Sequence, residues 1–164
     1  MKWFHDPRST IHEARHDLQV LLTTHHPRPT NHDMILGIGI DIIEVARIRA
    51  ALENPRTGAR FRARVFTDEE IGYCSRRRNG HESFAARFAA KEAVMKALGS
   101  GYGQGIGWRE IEVVRGDGPP TVRLSGAAQR YADALGVHRM HLSLTHTADL
   151  AIAYVIAEGT PRES

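Results

Sequence analysis

Apolar residues alternate with glycine over residues 36–40, and Asp41 follows directly. A period of two predicts a β-strand with one apolar face and a second face of nearly bare backbone that ends in the Asp41 carboxylate. Residues 140–144 and 151–157 predict two more strands, joined through residues 146–149. Residues 111–124 predict a hairpin, because two short apolar runs flank a glycine- and proline-rich turn.

Helical patterns fill most of the chain between these strands. Residues 44–52 are predicted to be helical up to Asn54-Pro55, and residues 67–70 have the Thr-x-x-Glu spacing of a capping box that begins another helix. A long helix is predicted over 82–98 and a shorter one over 127–135, whereas residues 61–66 are ambiguous. The order of strand, helices, two strands, helix and two strands predicts an α+β fold, with a mostly antiparallel sheet packed against the long helix.

Composition divides the 164 residues into a domain and two short ends. Residues 1–33 hold six of the ten histidines and show little amphipathic pattern, so we expect a poorly ordered extension. The domain is expected over 34–159, with a tail at 160–164. A single cysteine, Cys74, excludes an internal disulfide and fits a reducing cytoplasmic setting. No apolar run approaches the roughly 20 residues that span a bilayer, so no membrane partner is expected.

The net charge is only +3, but the arginines are clustered. The first cluster, within which Glu53 is the one acidic residue, consists of Arg47, Arg49, Arg56, Arg60, Arg62 and Arg64. The second cluster is the run Arg76, Arg77 and Arg78. Such patches attract an acidic macromolecule, either a nucleic acid or an acidic protein.

The long predicted helix carries the most informative side chains. Glu92 and Lys96 are four residues apart and lie on one face, while Arg87 and Lys91 have the same spacing on an adjacent face. One carboxylate among three cations suits an anionic ligand that is bound through a metal. The alternative is a solvated ion pair on a surface helix.

Other candidates are ambiguous when taken singly. Asp41 either holds Mg²⁺ or caps a helix, and His146, at the end of an alternating strand, is either functional or structural. The glycine-rich residues 99–107 either approach phosphates or form a connector. His12 and His16 match the H-E-x-x-H pattern of zinc proteases, but the polar surroundings favour a chance match. The Gly-x-Gly at 37–39 lacks the third glycine of a dinucleotide-binding site.

Four motifs in this order resemble a known family. They are Gly37-Ile-Gly-Ile-Asp41-Ile-Ile-Glu44-Val-Ala-Arg47-Ile, Phe66-Thr67-x-x-Glu70, Arg87-Phe-Ala-Ala-Lys91-Glu92-Ala-x-x-Lys96-Ala-Leu-Gly99-Ser-Gly101, and Leu142-Ser-Leu-Thr-His146-Thr. Together they closely resemble the holo-acyl-carrier-protein synthases, the short class of 4′-phosphopantetheinyl transferases. The resemblance covers residues 34–158 and excludes the extension.

The resemblance implies a reaction and a set of roles. Enzymes of this family transfer 4′-phosphopantetheine from coenzyme A to a serine of acyl carrier protein, with Mg²⁺, in fatty acid biosynthesis. By motif position, the metal ligands are Asp41 and Glu92, and the catalytic residues are Glu92, Lys96 and His146. The coenzyme A contacts implied in the same way are Arg87, Lys91, Lys96, Gly99, Ser100, Gly101, His146 and Thr147. Glu92 is the first candidate for the base that takes the serine proton, and His146 is the second.

The resemblance also implies partners. Arg47 and Arg60 are expected to dock the acidic carrier protein, and three subunits are expected to form a ring with active sites at their interfaces. The alternative is a nucleic-acid-binding module that uses the arginine clusters. Against it, these segments lack interleaved aromatic residues on which bases could stack, so no nucleic-acid partner is expected.

Overall fold

The structure is a computed structural model that describes residues 33–100, 105–116 and 118–161. The predicted extension, apart from Asp33, lies outside the described residues, as do Gly101 and the last three residues of the predicted tail. The expected poor order of the extension, and the match at His12 and His16, therefore stay predictions. No helix in the described part of the chain is long and apolar enough to cross a membrane.

In the part of the chain that the structure describes, five strands form two antiparallel sheets. The larger sheet has the order β1-β5-β4, with β1 at Met34–Glu44, β4 at Val137–His146 and β5 at Leu150–Gly159. The smaller sheet pairs β2 at Ile111–Val114 with β3 at Thr121–Leu124. The antiparallel arrangement and the hairpin are confirmed, although β1, β4 and β5 are longer than their apolar cores predicted.

In the described part of the chain, four α-helices lie between β1 and β2 and one lies between β3 and β4, which is the predicted order. They are α1 (Val45–Glu53), α2 (Gly58–Val65), α3 (Asp68–Ser75), α4 (Gly80–Ala97) and α5 (Gly126–Leu135). The capping box is confirmed at α3, where the Thr67 hydroxyl accepts from the Glu70 amide at 3.2 Å and Glu70 accepts from the Thr67 amide at 2.9 Å. The ambiguous segment 61–66 lies mostly in α2, where Phe61 packs against the rings of Phe66 and Phe88.

The glycines of β1 set how closely that strand approaches α4. A Cβ atom at Gly37 would lie 1.8 Å from the carbonyl oxygen of Ala97, and one at Gly39 would lie 1.9 Å from that of Ala93. Any side chain would therefore overlap the helix backbone. Glycine on the strand and alanine on the helix form a seam, the glycine–alanine seam, in which two backbones are in direct contact.

This seam turns the apolar face of β1 away from the helix. Ile38, Ile40 and Ile42 alternate with the glycine face and are each more than half exposed. An alternating strand normally buries its apolar face. Here the bare face is buried instead, because backbone contact with the helix requires it, and the isoleucines form an open apolar surface.

A buried ion pair joins three elements behind the seam. Lys91 and Glu70 are fully buried, with Lys91 Nζ 2.8 Å from Glu70 Oε2. Lys91 also donates to the carbonyl oxygens of Trp108 and Ile111, and Glu70 Oε1 accepts from the Val113 amide at 2.9 Å. Burial lowers the pKa of Lys91, and the charge of Glu70 opposes that shift.

These contacts correct the predicted role of Lys91. Its ammonium group is satisfied inside the protein, so it does not reach a ligand at the surface. The pair connects α3, α4 and β2, and it therefore belongs to the core.

Substitution of Gly39 by alanine should destabilise the protein by roughly 1–3 kcal/mol or more, because the new methyl group meets helix backbone that has no room to move. Gly72, in the middle of α3, is a matched control. Its nearest neighbour to an added Cβ is the flexible end of Arg76, at 3.4 Å, so Gly72→Ala should stabilise by about 0.5–1 kcal/mol through helix propensity.

Urea unfolding of both variants, at one protein concentration, measures these changes in free energy. If both variants shift the urea midpoint in the same direction, the close backbone contact at the glycine–alanine seam would be contradicted.

Candidate functional site

Two carboxylates and one ammonium group meet where β1 crosses α4. Asp41 follows the glycine–alanine seam on β1, and Lys96 lies near the end of α4. Lys96 Nζ lies 2.9 Å from Asp41 Oδ1 and donates to the Ile40 carbonyl oxygen at 2.9 Å. Fifty-five positions separate the paired side chains in the chain, so the close approach of the strand brings them together.

Glu92 lies close enough to Asp41 and Lys96 for their charges to change its pKa. Burial raises its pKa, the charge of Asp41 raises it further, and the cations of Lys96 and Arg47 partly offset these effects. A carboxylate whose pKa is raised by burial and by a neighbouring carboxylate provides, with that neighbour, a place for a cation. Their oxygen atoms are the ligand type that Mg²⁺ prefers, and one or two protein carboxylates suffice when substrate phosphates supply other ligands.

No cluster of three or more histidine, cysteine or acidic side chains that could hold a metal occurs among the residues that the structure describes. Any magnesium at this place would therefore depend on the two carboxylates and on ligands from outside the protein.

The prediction that three cations surround Glu92 is wrong in part. Lys96 lies beside it, but Lys91 is in the core and Arg87 lies on another side of α4. Arg87 is 5% exposed, and its guanidinium group lies 4.1 Å from the centre of the Tyr73 ring. Nothing in the described part of the chain partners its Nε atom.

Arg87 lines a cationic cavity of about 280 Å³ between α3, α4 and the β2–β3 hairpin. Three further arginines and two glutamates also line this cavity: Arg76, Arg115, Arg123, Glu69 and Glu112. One of the acids, Glu112, lies 3.4 Å from Arg123 and so offsets part of the charge. The excess of cations, with a buried guanidinium group among them, suits a phosphate group.

His146 lines a second cavity, of about 300 Å³, on the other side of the turn between α3 and α4. The remaining lining comes from that turn and the first turn of α4: Arg77, Arg78, Asn79 and Ser83. The neighbouring Thr147 has a local role, because its hydroxyl oxygen accepts from the amides of Asp149 and Leu150 and so shapes the turn between β4 and β5.

The glycine-rich segment after α4 is described only in part. Gly99 ends the helix in the left-handed region, at φ 69°, where an L side chain would be strained. Ser100 is fully buried and donates its hydroxyl to the Met95 carbonyl oxygen at 3.2 Å. The Ser100 hydroxyl therefore bonds inside the protein, and the predicted coenzyme A contact of residues 99–101 stays a prediction.

The arginine patch lies on α1 and α2. Arg47 and Arg60 are exposed, and neither forms an ion pair within 4 Å among residues 33–100, 105–116 and 118–161. Because the charge of Arg47 also acts on Glu92, the patch borders the carboxylate pair.

Two contributors were missed by reasoning from the sequence. Tyr73 supports Arg87, and Glu82 lies beside His146, with 3.4 Å between Oε2 and Nδ1. The i,i+4 spacing of helix pairs gives no signal for either contact, because each joins two different elements.

Comparison with known proteins agrees with this geometry. The profile of the 4′-phosphopantetheinyl transferase superfamily matches residues 37–155. The holo-[acyl-carrier-protein] synthase of Anaeromyxobacter sp. (strain K) is 51% identical over 128 residues, which cover 77% of this chain and 98% of the relative.

Solved structures show the same fold. A holo-(acyl-carrier-protein) synthase from Bacillus anthracis in complex with CoA (3′,5′-ADP) is 36% identical, with a TM-score of 0.63 over 77% of this chain and 99% of the other. The Helicobacter pylori synthase in complex with coenzyme A is 31% identical, with a TM-score of 0.64 over 73% and 98%. With the motifs, the fold and the sequence match in agreement, this chain belongs to the holo-[acyl-carrier-protein] synthase family of the 4′-phosphopantetheinyl transferase superfamily.

Proposed function

We propose that this chain transfers the 4′-phosphopantetheine group from coenzyme A to a serine of apo acyl carrier protein, releasing adenosine 3′,5′-bisphosphate, as a cytoplasmic enzyme of fatty acid biosynthesis. The observation that carries the proposal is the meeting of Asp41, Glu92 and Lys96, in a chain of this family. Nothing favours the nucleic-acid alternative once the family is known.

Asp41 and Glu92 would hold Mg²⁺, which supplies positive charge to the transferring phosphate when bound. Lys96 would then move from Asp41 to a phosphate oxygen, since its side chain is half exposed. Phosphoryl-type transfer depends mainly on positioning and on charge neutralisation, so two carboxylates, a cation and an ammonium group suffice.

In the reaction the serine oxygen bonds to the β-phosphorus of coenzyme A, and the bond from that phosphorus to the oxygen of the α-phosphate breaks. The serine proton goes to a base of the protein, and the bridging oxygen leaves with the α-phosphate, which becomes the 5′-phosphate of adenosine 3′,5′-bisphosphate. Glu92 is the first candidate for the base because it lies beside Asp41. His146 is the second.

The two cationic cavities would bind the phosphates of coenzyme A. Both border the turn between α3 and α4, one through Arg76 and Arg87 and the other through Arg77, Arg78 and His146. Neither includes Asp41 or Glu92 in its lining, which agrees with an active site that is completed by a second subunit.

The open apolar surface of the larger sheet would form the subunit interface of a homotrimer. Seven of the eight large apolar side chains that are prominently exposed in the described part of the chain lie on β1 or β5: Met34, Ile35, Ile38, Ile40, Ile42, Leu150 and Tyr154. Contiguous apolar surface of this kind usually marks an interface. Asp41 lies on the opposite, glycine face of the same edge strand, so a second copy seated on the isoleucines would approach the carboxylate pair around the edge of β1.

Glu92→Gln and Asp41→Asn should each lower transfer by a hundredfold or more, because removal of either charge leaves one carboxylate to hold the cation; loss of a single charge-stabilising group typically costs about 10²–10³ in rate. Glu44→Gln, at the exposed end of the same strand, is the matched control and should keep near-wild-type activity.

The measurement is the gain in mass of apo carrier protein incubated with coenzyme A and increasing Mg²⁺. Near-full activity of either site variant would overturn the metal assignment.

Arg60→Glu should weaken carrier-protein binding by about tenfold or more at low salt and leave coenzyme A binding unchanged, because charge reversal on a docking surface mostly slows association. Arg130→Glu, on the exposed side of α5, changes the net charge equally and serves as the control. Binding of both substrates is measured by calorimetry at two salt concentrations. An equal loss for both arginines would show that only net charge matters.

Ile38→Asp should convert the trimer to monomers, because three carboxylates would be buried in the proposed interface. Leu135→Asp, which is 40% exposed at the end of α5, should leave the trimer intact. Sedimentation analysis distinguishes the two species. A wild-type monomer, or a trimer that survives Ile38→Asp, would contradict this interface.

A further inference from the structure

We propose that Glu82 is a positioning residue for His146: its carboxylate holds the proton on Nδ1 and aims Nε2 at the ligand. This inference rests on the proposed function, since it assigns His146 a task in the transfer. The first turn of α4 brings Glu82 Oε2 to 3.4 Å from His146 Nδ1. The same turn contributes Ser83 to the cavity that His146 lines.

The backbone of His146 is fixed independently of this contact. It ends β4 and pairs with Ala151 of β5. The next residue, Thr147, donates its amide to the Leu150 carbonyl oxygen at 2.8 Å. With the main chain held, rotation of the imidazole ring is the remaining freedom, and a carboxylate on one side of the ring removes it.

The chemistry of imidazole makes this contact specific. In the neutral ring one nitrogen carries a proton and the other is an acceptor, and the partner of the first decides which is which. A carboxylate at Nδ1 selects the form with the proton on Nδ1. Nε2 then faces outward, free to accept the serine proton or, when protonated, to donate to a phosphate oxygen. The pairing has the logic of a catalytic base that is oriented by a third group.

A second histidine–carboxylate pair, His81 with Glu53, is a surface contact that serves for comparison. His81 Nε2 lies 3.1 Å from Glu53 Oε1, and the Glu53 side chain is 59% exposed. The Glu82 side chain, by contrast, is only 18% exposed, on the side of α4 that faces the end of β4. An exposed pair is well screened by solvent, whereas a carboxylate shielded from water interacts more strongly with its partner. Glu53→Ala is therefore a matched control for Glu82→Ala.

The test is a double-mutant cycle on the full chain, with Glu82→Ala, His146→Ala and the double variant assayed for transfer to apo carrier protein. Glu82→Ala should lower the rate by about ten- to a hundredfold, by analogy with the loss of a carboxylate that orients a metal-bound histidine. In the His146→Ala background it should have no further effect. Glu53→Ala should leave activity unchanged, and Glu82→Gln, which keeps an acceptor oxygen, should recover part of the loss.

A second readout needs no activity. The ¹⁵N spectrum of the imidazole nitrogens, in protein without ligand, reports which nitrogen carries the proton, and the signal of His146 is the one that is lost in His146→Ala. The wild type should carry the proton on Nδ1, and Glu82→Ala should move it to Nε2.

Three outcomes would overturn the inference: equal losses from Glu82→Ala in both backgrounds, an unchanged proton position, or no effect of His146→Ala. In each case wild-type transfer that still depends on Asp41 would leave the proposed function standing. If the wild type transfers nothing, the proposed function fails, and the imidazole spectrum alone decides whether Glu82 sets the proton position.

Discussion

The backbones of β1 and α4 are in direct contact, and this contact positions both the candidate site and the exposed face of the larger sheet. Glycine at 37 and 39, opposite alanine at 93 and 97, lets the strand approach until no Cβ atom would fit. This approach delivers the Asp41 carboxylate to the Lys96 ammonium group and to Glu92. The same contact turns the isoleucines of β1 outward. The close packing of β1 on α4 therefore produces both the carboxylate pair and the apolar surface that we propose as the subunit interface.

The buried pair of Lys91 and Glu70 holds the other side of the long helix. An ion pair removed from water is costly unless its remaining hydrogen-bonding capacity is satisfied. Here the ammonium group has three partners, and the carboxylate accepts from two backbone amides as well as from Lys91. Because the partners lie on different elements, the pair fixes the rotation of α4. Glu92, the next residue, is thereby directed to the site side of the helix.

Charge on this protein is divided between surfaces with separate tasks. The carboxylate pair adjoins the exposed arginines of α1, whereas the buried guanidinium group of Arg87 and the ring of His146 line cavities on either side of the α3–α4 turn. A substrate with several phosphates and an acidic protein partner would need such a division. The proposed role of Glu82 adds a further level, because it would act on the ligand only through His146.

Local periodicity and short spacings were enough to predict the order and type of the elements, the α3 capping box and the motifs of the family. They also pointed to Asp41, Glu92 and Lys96. Three features became clear only from the folded chain: Lys91 faces the core, the Ser100 hydroxyl is buried and the isoleucines of β1 face outward. Helix spacing shows which residues share a face, but which face is buried depends on distant partners such as Glu70 and the glycines of β1.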